Sequence, residues 1–139
     1  MLFRSGRRVL VVDDEPGIRE AIATILGQQE ANVTVFETGG AAIDALRAAH
    51  AAGQPFEMVL SDVRMPDRNG YEIFRAAKDL DANLPVILMT GFGYDPHHSI
   101  VRSSQEGLHC FLFKPFQAQQ LLEEVEKALT ASTGGSGKN

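Results

Sequence analysis

Residues 9–16 read Val-Leu-Val-Val-Asp-Asp-Glu-Pro, a short apolar block that runs directly into three acidic residues. Similar apolar blocks follow at 33–36, 58–61, 86–89 and 111–113. Short, continuously apolar runs are typical of parallel strands that are covered on both faces of a sheet. Thr34 interrupts the second block, which favours a place for that strand at the sheet edge.

Apolar residues recur at helical spacing between these blocks. The stripes predict helices around 18–26, 42–49, 70–77 and 121–129. A fourth helix in chain order, within 96–106, is weakly patterned because Ile100 and Val101 are its only large apolar residues. Strands that alternate with helices predict an α/β fold, a doubly wound five-stranded parallel sheet with helices on both faces.

Length and composition indicate one ordinary globular domain. The 139 residues are 44% hydrophobic with a net charge of -5, a balance that gives no reason to expect nucleic-acid binding. The single Cys110 favours a reducing compartment, and the apolar runs are far shorter than the about 20 residues of a membrane span, so we expect a cytoplasmic protein. We divide the chain into an N-terminal extension (1–6), the domain (7–131) and a flexible Gly- and Ser-rich tail (132–139).

Polar residues follow four of the predicted strands. The first strand runs into Asp13 and Asp14, the third into Asp62, the fourth into Thr90 and the fifth into Lys114. Because ligands of open parallel sheets bind beyond the carboxyl ends of the strands, we expect these side chains to converge on one rim.

Three neighbouring carboxylates need compensating positive charge to stay ionised together. Mg²⁺ is the natural candidate, since it takes oxygen ligands and commonly pairs one or two carboxylates with a phosphate oxygen. With Lys114 as a second cation, the rim suits an incoming phosphoryl group, and a carboxylate would be the nucleophile.

Each of these residues also has a simpler structural interpretation. Asp14 could cap the first helix, with Pro16 in its first turn. Asp62 could begin a plain turn, Thr90 could merely end a strand, and Lys114 could lie in a solvated loop. Only their joint placement at four strand ends favours a functional site.

Four motifs in combination resemble the receiver domain of two-component response regulators, including the single-domain chemotaxis regulator. They are Val-Val-Asp-Asp-Glu-Pro at 11–16, Leu-Ser-Asp-Val-Arg-Met-Pro at 60–66, Met-Thr-Gly at 89–91 and Phe-Leu-Phe-Lys-Pro-Phe at 111–116. The resemblance covers about residues 7 to 130. It implies a flavodoxin-like sheet in the strand order 2-1-3-4-5.

The resemblance also implies a chemical role for each acidic residue. Asp62 would be the phosphoacceptor, receiving its phosphoryl group from a phosphohistidine of a sensor histidine kinase or phosphotransfer protein. Mg²⁺ would be bound by Asp14, Asp62 and the backbone carbonyl of Arg64, with Asp13 acting through a water molecule.

The remaining motif residues would form the switch. Lys114 would contact the phosphoryl oxygens, and a cis peptide bond between Lys114 and Pro115 would place its amine. Thr90 would move toward the new phosphoryl group, and Phe111 would occupy the switching aromatic position. Phe111 has no hydroxyl, so this switch would work by packing alone.

Two further departures concern the surroundings of the phosphoryl group. Gly91 stands where Ala is commoner in the family, which would leave the site more open and the following loop more flexible. We also hypothesise that Arg64 and Phe92, which flank the path of an attacking water, slow hydrolysis of the acyl phosphate.

The resemblance implies a signalling domain that catalyses only its own phosphorylation and dephosphorylation. Its downstream partner would be a protein target or effector domain, with no direct contact to nucleic acid or membrane. The partner surface, and the contact face of a homodimer, would be the fourth helix, fifth strand and fifth helix. Sequence alone leaves open whether the domain stands alone or belongs to a longer protein.

Three alternative functions are disfavoured by particular residues. An aspartyl-phosphate phosphohydrolase would need an Asp where Arg64 stands. A flavin-binding module would need a hydroxyl- and Gly-rich phosphate loop in place of Asp13-Asp14-Glu15. A binding-only relative of the receiver domain would be expected to lack some of the site residues.

Overall fold

The computed structural model describes residues 6–65, 67–91 and 110–137. Within these residues five strands form one parallel sheet: β1 (Arg8–Val12), β2 (Asn32–Phe36), β3 (Met58–Asp62), β4 (Val86–Thr90) and β5 (Cys110–Phe113). The strand order is β2-β1-β3-β4-β5, which confirms the predicted α/β class and topology. All five apolar blocks are strands, and β2, which contains Thr34, lies at an edge as predicted.

The described helices are α1 (Pro16–Gly27), α2 (Gly39–Ala51), α3 (Gly70–Leu80) and a C-terminal helix (Ala118–Gly137). The predicted helix within 96–106 lies outside the described residues. The C-terminal helix corresponds to the predicted fifth one and continues past the boundary expected at 131. The backbone is helical through Gly137.

The side chains of the central strands alternate between two apolar layers. On β1, Leu10 and Val12 pack into the layer beneath α2 and α3, whereas Val9 and Val11 pack into the layer beneath α1 and the C-terminal helix. β1, β3 and β4 are almost wholly buried, as their continuous apolar sequences predict. The rigid centre of the sheet therefore fixes where the residues after β1, β3 and β4 lie.

The helix starts decide one of the alternatives left open by the sequence. Residue Glu15 is the N-cap of α1 and makes no side-chain cap, while Pro16 occupies the first turn. Asp14 is therefore not the capping residue, and the interpretation of Asp14 as an N-cap is wrong. By contrast, Asn69 caps α3 by accepting from the N–H groups of Tyr71 and Glu72.

Within the described part of the chain, no helix is both long enough and apolar enough to span a bilayer.

Candidate functional site

A cavity of about 460 Å³ opens at the carboxyl ends of β1, β3, β4 and β5. Asp14, Asp62, Thr90 and Lys114 all line it. Asp13 lies directly behind, fully buried at the end of β1. The predicted convergence of the strand-end residues on one rim is therefore present.

Lys114 is the cationic centre of this rim. Its Nζ donates to Asp13 Oδ2 at 3.0 Å and to Glu15 Oε1 at 3.2 Å, and lies 3.3 Å from Asp62 Oδ1. Its side chain is 13% exposed. The Lys114-Pro115 bond is cis, as the family resemblance implied. A single ammonium group thus touches carboxylates from two different strand ends.

The buried carboxyls titrate abnormally. Burial and, second to it, the charge of the neighbouring Asp13 raise the pKa of Asp62 to about 6, although Lys114 acts in the opposite direction. Burial likewise raises the pKa of Asp13 above its usual 3.8, despite hydrogen bonds from the Glu15 N–H and Lys114. Additional positive charge in the cavity would stabilise the ionised form of both carboxyls.

The opposite balance holds for the lysine. Burial by itself would lower the pKa of Lys114, but its hydrogen bonds and charge attraction to Asp13, Asp62 and Glu15 outweigh this, so its pKa lies above 10.5. Lys114 is therefore a fixed positive charge over the whole physiological pH range.

Three carboxylates form a set that fits a divalent cation. Asp13, Asp14 and Asp62 each offer an oxygen, and these oxygens lie within 4.8 Å of one another. Asp14 is exposed to solvent, so its carboxylate can reach an ion in the cavity without moving the core. An all-oxygen donor set with an open, solvated side is the kind that Mg²⁺ prefers.

The two predicted switch residues lie on adjacent strands. Thr90 is 1% exposed at the end of β4, and its carbonyl accepts from the Lys114 N–H at 2.8 Å. Phe111 pairs in register with Leu88 and packs, half-buried, against the apolar layer beneath α2 and α3. Phe113, two residues further along β5, is 57% exposed.

A close backbone approach holds Asp62 in place. The Gly70 N–H donates to the Val63 carbonyl at 2.8 Å, and the Val63 N–H donates to the Met89 carbonyl at 2.9 Å. A Cβ on Gly70 would lie 2.6 Å from the carbonyl oxygen of Asp62. The start of α3 can therefore approach the end of β3 only because residue 70 is a glycine.

Gly91 also lines the cavity, but unlike Gly70 it is not tightly surrounded by other described atoms. A Cβ added there meets nothing within 4 Å among the described residues. Arg64 also lines the cavity and is exposed, whereas Phe92 lies outside the described residues.

Sequence reasoning missed three contacts of this region. Glu15 pairs with Lys114, and Arg19 Nη1 donates to the backbone carbonyl of Asp13 at 2.8 Å. Asp67 binds the first turn of α2. The acidic run at 13–15 hinted at Glu15, but no local pattern identifies the other two, because their partners depend on how the elements pack.

Known proteins resemble this chain over almost its full length. A family model described as the response regulator receiver domain matches residues 9–126. The C4-dicarboxylate transport transcriptional regulatory protein DctD of Pseudomonas aeruginosa is 35% identical over 127 residues, which are 91% of this chain and 26% of DctD. The response regulator receiver protein CpdR of Brucella abortus is 30% identical, over 91% of this chain and 99% of CpdR.

Solved structures share the same architecture. A CheY-like response regulator receiver domain protein from Methanospirillum hungatei superposes with a TM-score of 0.79 at 27% identity, covering 94% of this chain and 99% of that one. The chain thus spans about a quarter of the length of DctD but nearly all of the receiver protein CpdR and of this solved domain.

Proposed function

The chain belongs to the response regulator receiver domain family, whose members are phosphoacceptors in two-component systems, and on that premise we propose that Asp62 is the residue that takes the phosphoryl group. Asp62 and Glu15 both line the cavity and contact Lys114, but the Glu15 side chain is 62% exposed, and only Asp62 of the two belongs to the group of carboxylates that could hold a metal ion. Asp13 is buried behind it, and Asp14 makes no ion pair with Lys114 among the described contacts. Access and charge compensation therefore both favour Asp62 as the nucleophile.

The transfer is a displacement at phosphorus. An Asp62 carboxylate oxygen attacks the phosphoryl group of a phosphohistidine, a new O–P bond forms, and the N–P bond breaks as the imidazole leaves and takes up a proton. Lys114 donates to the phosphoryl oxygens, whose negative charge must be neutralised for the transfer to proceed. The lysine needs no proton transfer in this step, because its raised pKa keeps it charged.

Mg²⁺ is the proposed cofactor. The residues that would hold it are Asp14, Asp62 and the backbone carbonyl of Arg64, with Asp13 acting through water, and the ion would supply charge neutralisation for the phosphoryl oxygens. Support comes from the donor set itself, since three carboxylate oxygens within 4.8 Å of one another are compensated only in part by Lys114. Burial and the charge of Asp13 raise the pKa of Asp62 in the same place, so an added positive charge would favour its ionised form.

Phosphorylation would act on β4 and β5 through residues at their ends. In the proposed switch, the Thr90 hydroxyl donates to the phosphoryl group and Phe111 repacks against the layer it already contacts. Hydrolysis of the acyl phosphate would be the domain's only other reaction, slowed by Arg64.

Response regulators work with histidine kinases and with downstream effectors. For this chain we propose a histidine kinase or phosphotransfer protein as the donor. The proposed contact surface for a downstream protein or effector domain is the face built from β5, the C-terminal helix and the segment before β5. The same face is the proposed homodimer contact. We also propose the cytoplasm as its location, in line with the single cysteine.

The observation that carries the proposal is the contact of the largely buried Lys114 ammonium group with Asp62, which lines the cavity. The test is intact-mass spectrometry after incubation with acetyl phosphate, with Mg²⁺ or with EDTA. Asp62→Asn is the test variant, and Asp44→Asn, which makes the same charge change on an exposed carboxylate of α2, is the matched control.

We expect one phosphoryl addition in the wild type and in Asp44→Asn, only with Mg²⁺, and none in Asp62→Asn. An adduct of undiminished yield on Asp62→Asn would remove Asp62 from its role. No adduct on any form, together with no binding of the phosphoryl mimic beryllofluoride, would overturn the proposed function.

A further inference from the structure

Asp67 links two elements that the sequence gives no reason to connect. It lies between Asp62 and α3, in a loop whose described residues are 63–65 and 67–69, and its carboxylate reaches the start of α2. Oδ1 accepts from the Gly39 N–H and Oδ2 from the Gly40 N–H, each at 2.9 Å. These N–H groups belong to the first turn of α2, where the helix has no internal acceptors for them. The two hydrogen bonds lower the pKa of Asp67, so the carboxylate is ionised at neutral pH.

Both glycines of α2 are shaped to this contact. A Cβ on Gly39 would lie 2.8 Å from Cβ of Arg68, and a Cβ on Gly40 would lie 3.2 Å from Asp67 Oδ2. The loop can therefore approach the helix this closely only because neither residue has a side chain. Two hydrogen bonds and two close approaches converge on the same small contact.

The same loop holds the proposed phosphoacceptor. At its start, Val63 is fixed by the hydrogen bonds to Met89 and Gly70, and at its end Asn69 caps α3. Between these anchors the loop carries Arg64, whose carbonyl is a proposed Mg²⁺ ligand. Asp67 adds a sideways attachment to α2, and it does not line the cavity.

We propose that Asp67 is a positioning residue: its two hydrogen bonds to α2 set where the loop at 63–69 presents the Arg64 carbonyl and Asp62. This inference rests on the proposed function. Removing the carboxylate frees the middle of the loop, so the hydrogen bonds that the Val63 and Gly70 N–H groups make at its ends open more often. The carbonyl of Arg64 and the carboxylate of Asp62 are then held less well in the arrangement that binds Mg²⁺ and the phosphoryl group.

A purely structural role is the alternative, because a carboxylate at a helix N-terminus stabilises that helix whatever else it does. Thr38 offers the matched control. Its hydroxyl caps the same helix by accepting from the Ala41 N–H at 3.3 Å, which is a hydrogen bond within α2 and not to the loop. Thr38→Ala should weaken α2 and leave the loop attached. Asp67→Ala should weaken α2 and also release the loop.

The experiment compares wild type, Asp67→Ala, Asp67→Asn and Thr38→Ala in three measurements. These are urea unfolding without Mg²⁺, calorimetric titration of the unphosphorylated protein with Mg²⁺, and amide hydrogen exchange at Val63 and Gly70. The rate of phosphorylation by acetyl phosphate at saturating Mg²⁺ is the fourth readout. Asp67→Asn keeps one acceptor but turns its amide N–H₂ toward a backbone N–H, so it should fall between the other forms.

Removing a residue that hydrogen-bonds to a metal ligand typically lowers the metal affinity about 10–100-fold. Because Asp67 acts from further away, we expect Asp67→Ala to raise the Kd for Mg²⁺ by about threefold to tenfold. Exchange at Val63 and Gly70 should accelerate in parallel. Thr38→Ala should lose comparable stability while its Mg²⁺ affinity and exchange stay within about twofold of wild type, the size of effect expected for an uncoupled site.

Equal Mg²⁺ affinity, exchange and phosphorylation rate in Asp67→Ala and Thr38→Ala would overturn the inference and leave Asp67 as a helix cap. Failure of the proposed function has a different signature: the wild type itself would bind no Mg²⁺ and take no phosphoryl group. In that case exchange at Val63 and Gly70 still decides whether Asp67 tethers the loop.

Discussion

Replacing the proposed phosphoacceptor should stabilise the protein in the absence of Mg²⁺. Asp62 is 6% exposed, and burial together with the charge of Asp13 raises its pKa to about 6 from 3.8. Above pH 6 the folded protein must therefore hold a buried negative charge that the unfolded chain exposes to water. Asp62→Asn keeps the shape of the side chain and removes that charge.

The sign and size follow from proton linkage. Between pH 3.8 and pH 6 the folded state binds more protons at Asp62 than the unfolded state does, so stability falls as pH rises through this window. A difference of about two pKa units corresponds to about 3 kcal/mol at pH 7.5, and to about 1 kcal/mol at pH 4.5. For a domain of this length, about 3 kcal/mol is an increase in Tm of about 10 °C.

The assay is urea unfolding of wild type and Asp62→Asn in EDTA at pH 7.5 and at pH 4.5. We expect the advantage of Asp62→Asn to shrink by about 2 kcal/mol at the lower pH. Asp67→Asn makes the same chemical change where hydrogen bonds lower the pKa of the carboxyl, so it should destabilise the protein both at pH 7.5 and at pH 4.5, and its effect should fade only below pH 3.8. An Asp62→Asn protein that is less stable than wild type at pH 7.5, or equally favoured at both pH values, would refute the electrostatic reasoning.

Three further predictions concern the same rim. Mg²⁺ at about 100 times its Kd should raise the unfolding free energy of the wild type by about 2.7 kcal/mol, and by much less in Asp62→Asn; equal gains in urea titrations would place the ion elsewhere. Gly70→Ala should lower the free energy of unfolding by about 1–3 kcal/mol and slow phosphorylation, because its Cβ would press on the Asp62 carbonyl. Gly91→Ala should leave the stability unchanged. Thermal unfolding of the two variants checks this, and equal losses of stability would contradict it. Lys114→Met should raise the pKa of Asp62 further, since it removes the ammonium 3.3 Å away, and should abolish Mg²⁺-dependent phosphorylation; an unchanged Asp62 titration by NMR would argue against the ion pair.

The fold was predictable because its pattern is local. Each apolar block is a strand, and the continuous sequences of β1, β3 and β4 match their burial on both faces. The strand ends then bring Asp13, Asp62 and Lys114 together through topology alone, so the rim could be inferred before any coordinates. The roles given to its residues come from family resemblance and remain predictions.

Other features depend on packing that no local pattern encodes. The Asp67 carboxylate bonds α2 across 27 and 28 residues of sequence, and the glycines that admit it lack any side chain that could signal the contact. Asp14 looked like a helix cap by its position before Pro16, yet α1 begins one residue later, with Glu15 as its N-cap. Cap identity depends on the backbone at the end of β1, which the sequence leaves undetermined.

The most direct test of the central claim identifies the phosphorylated residue chemically. Reduction with borodeuteride marks an aspartyl phosphate, and trypsin then separates residues 48–64, whose only aspartate is Asp62, from residues 9–19, which hold Asp13 and Asp14. We expect the Mg²⁺-dependent label in the 48–64 peptide alone. A label in the 9–19 peptide, or in neither peptide of a protein shown by intact mass to carry the phosphoryl group, would contradict the assignment of Asp62 as the phosphoacceptor.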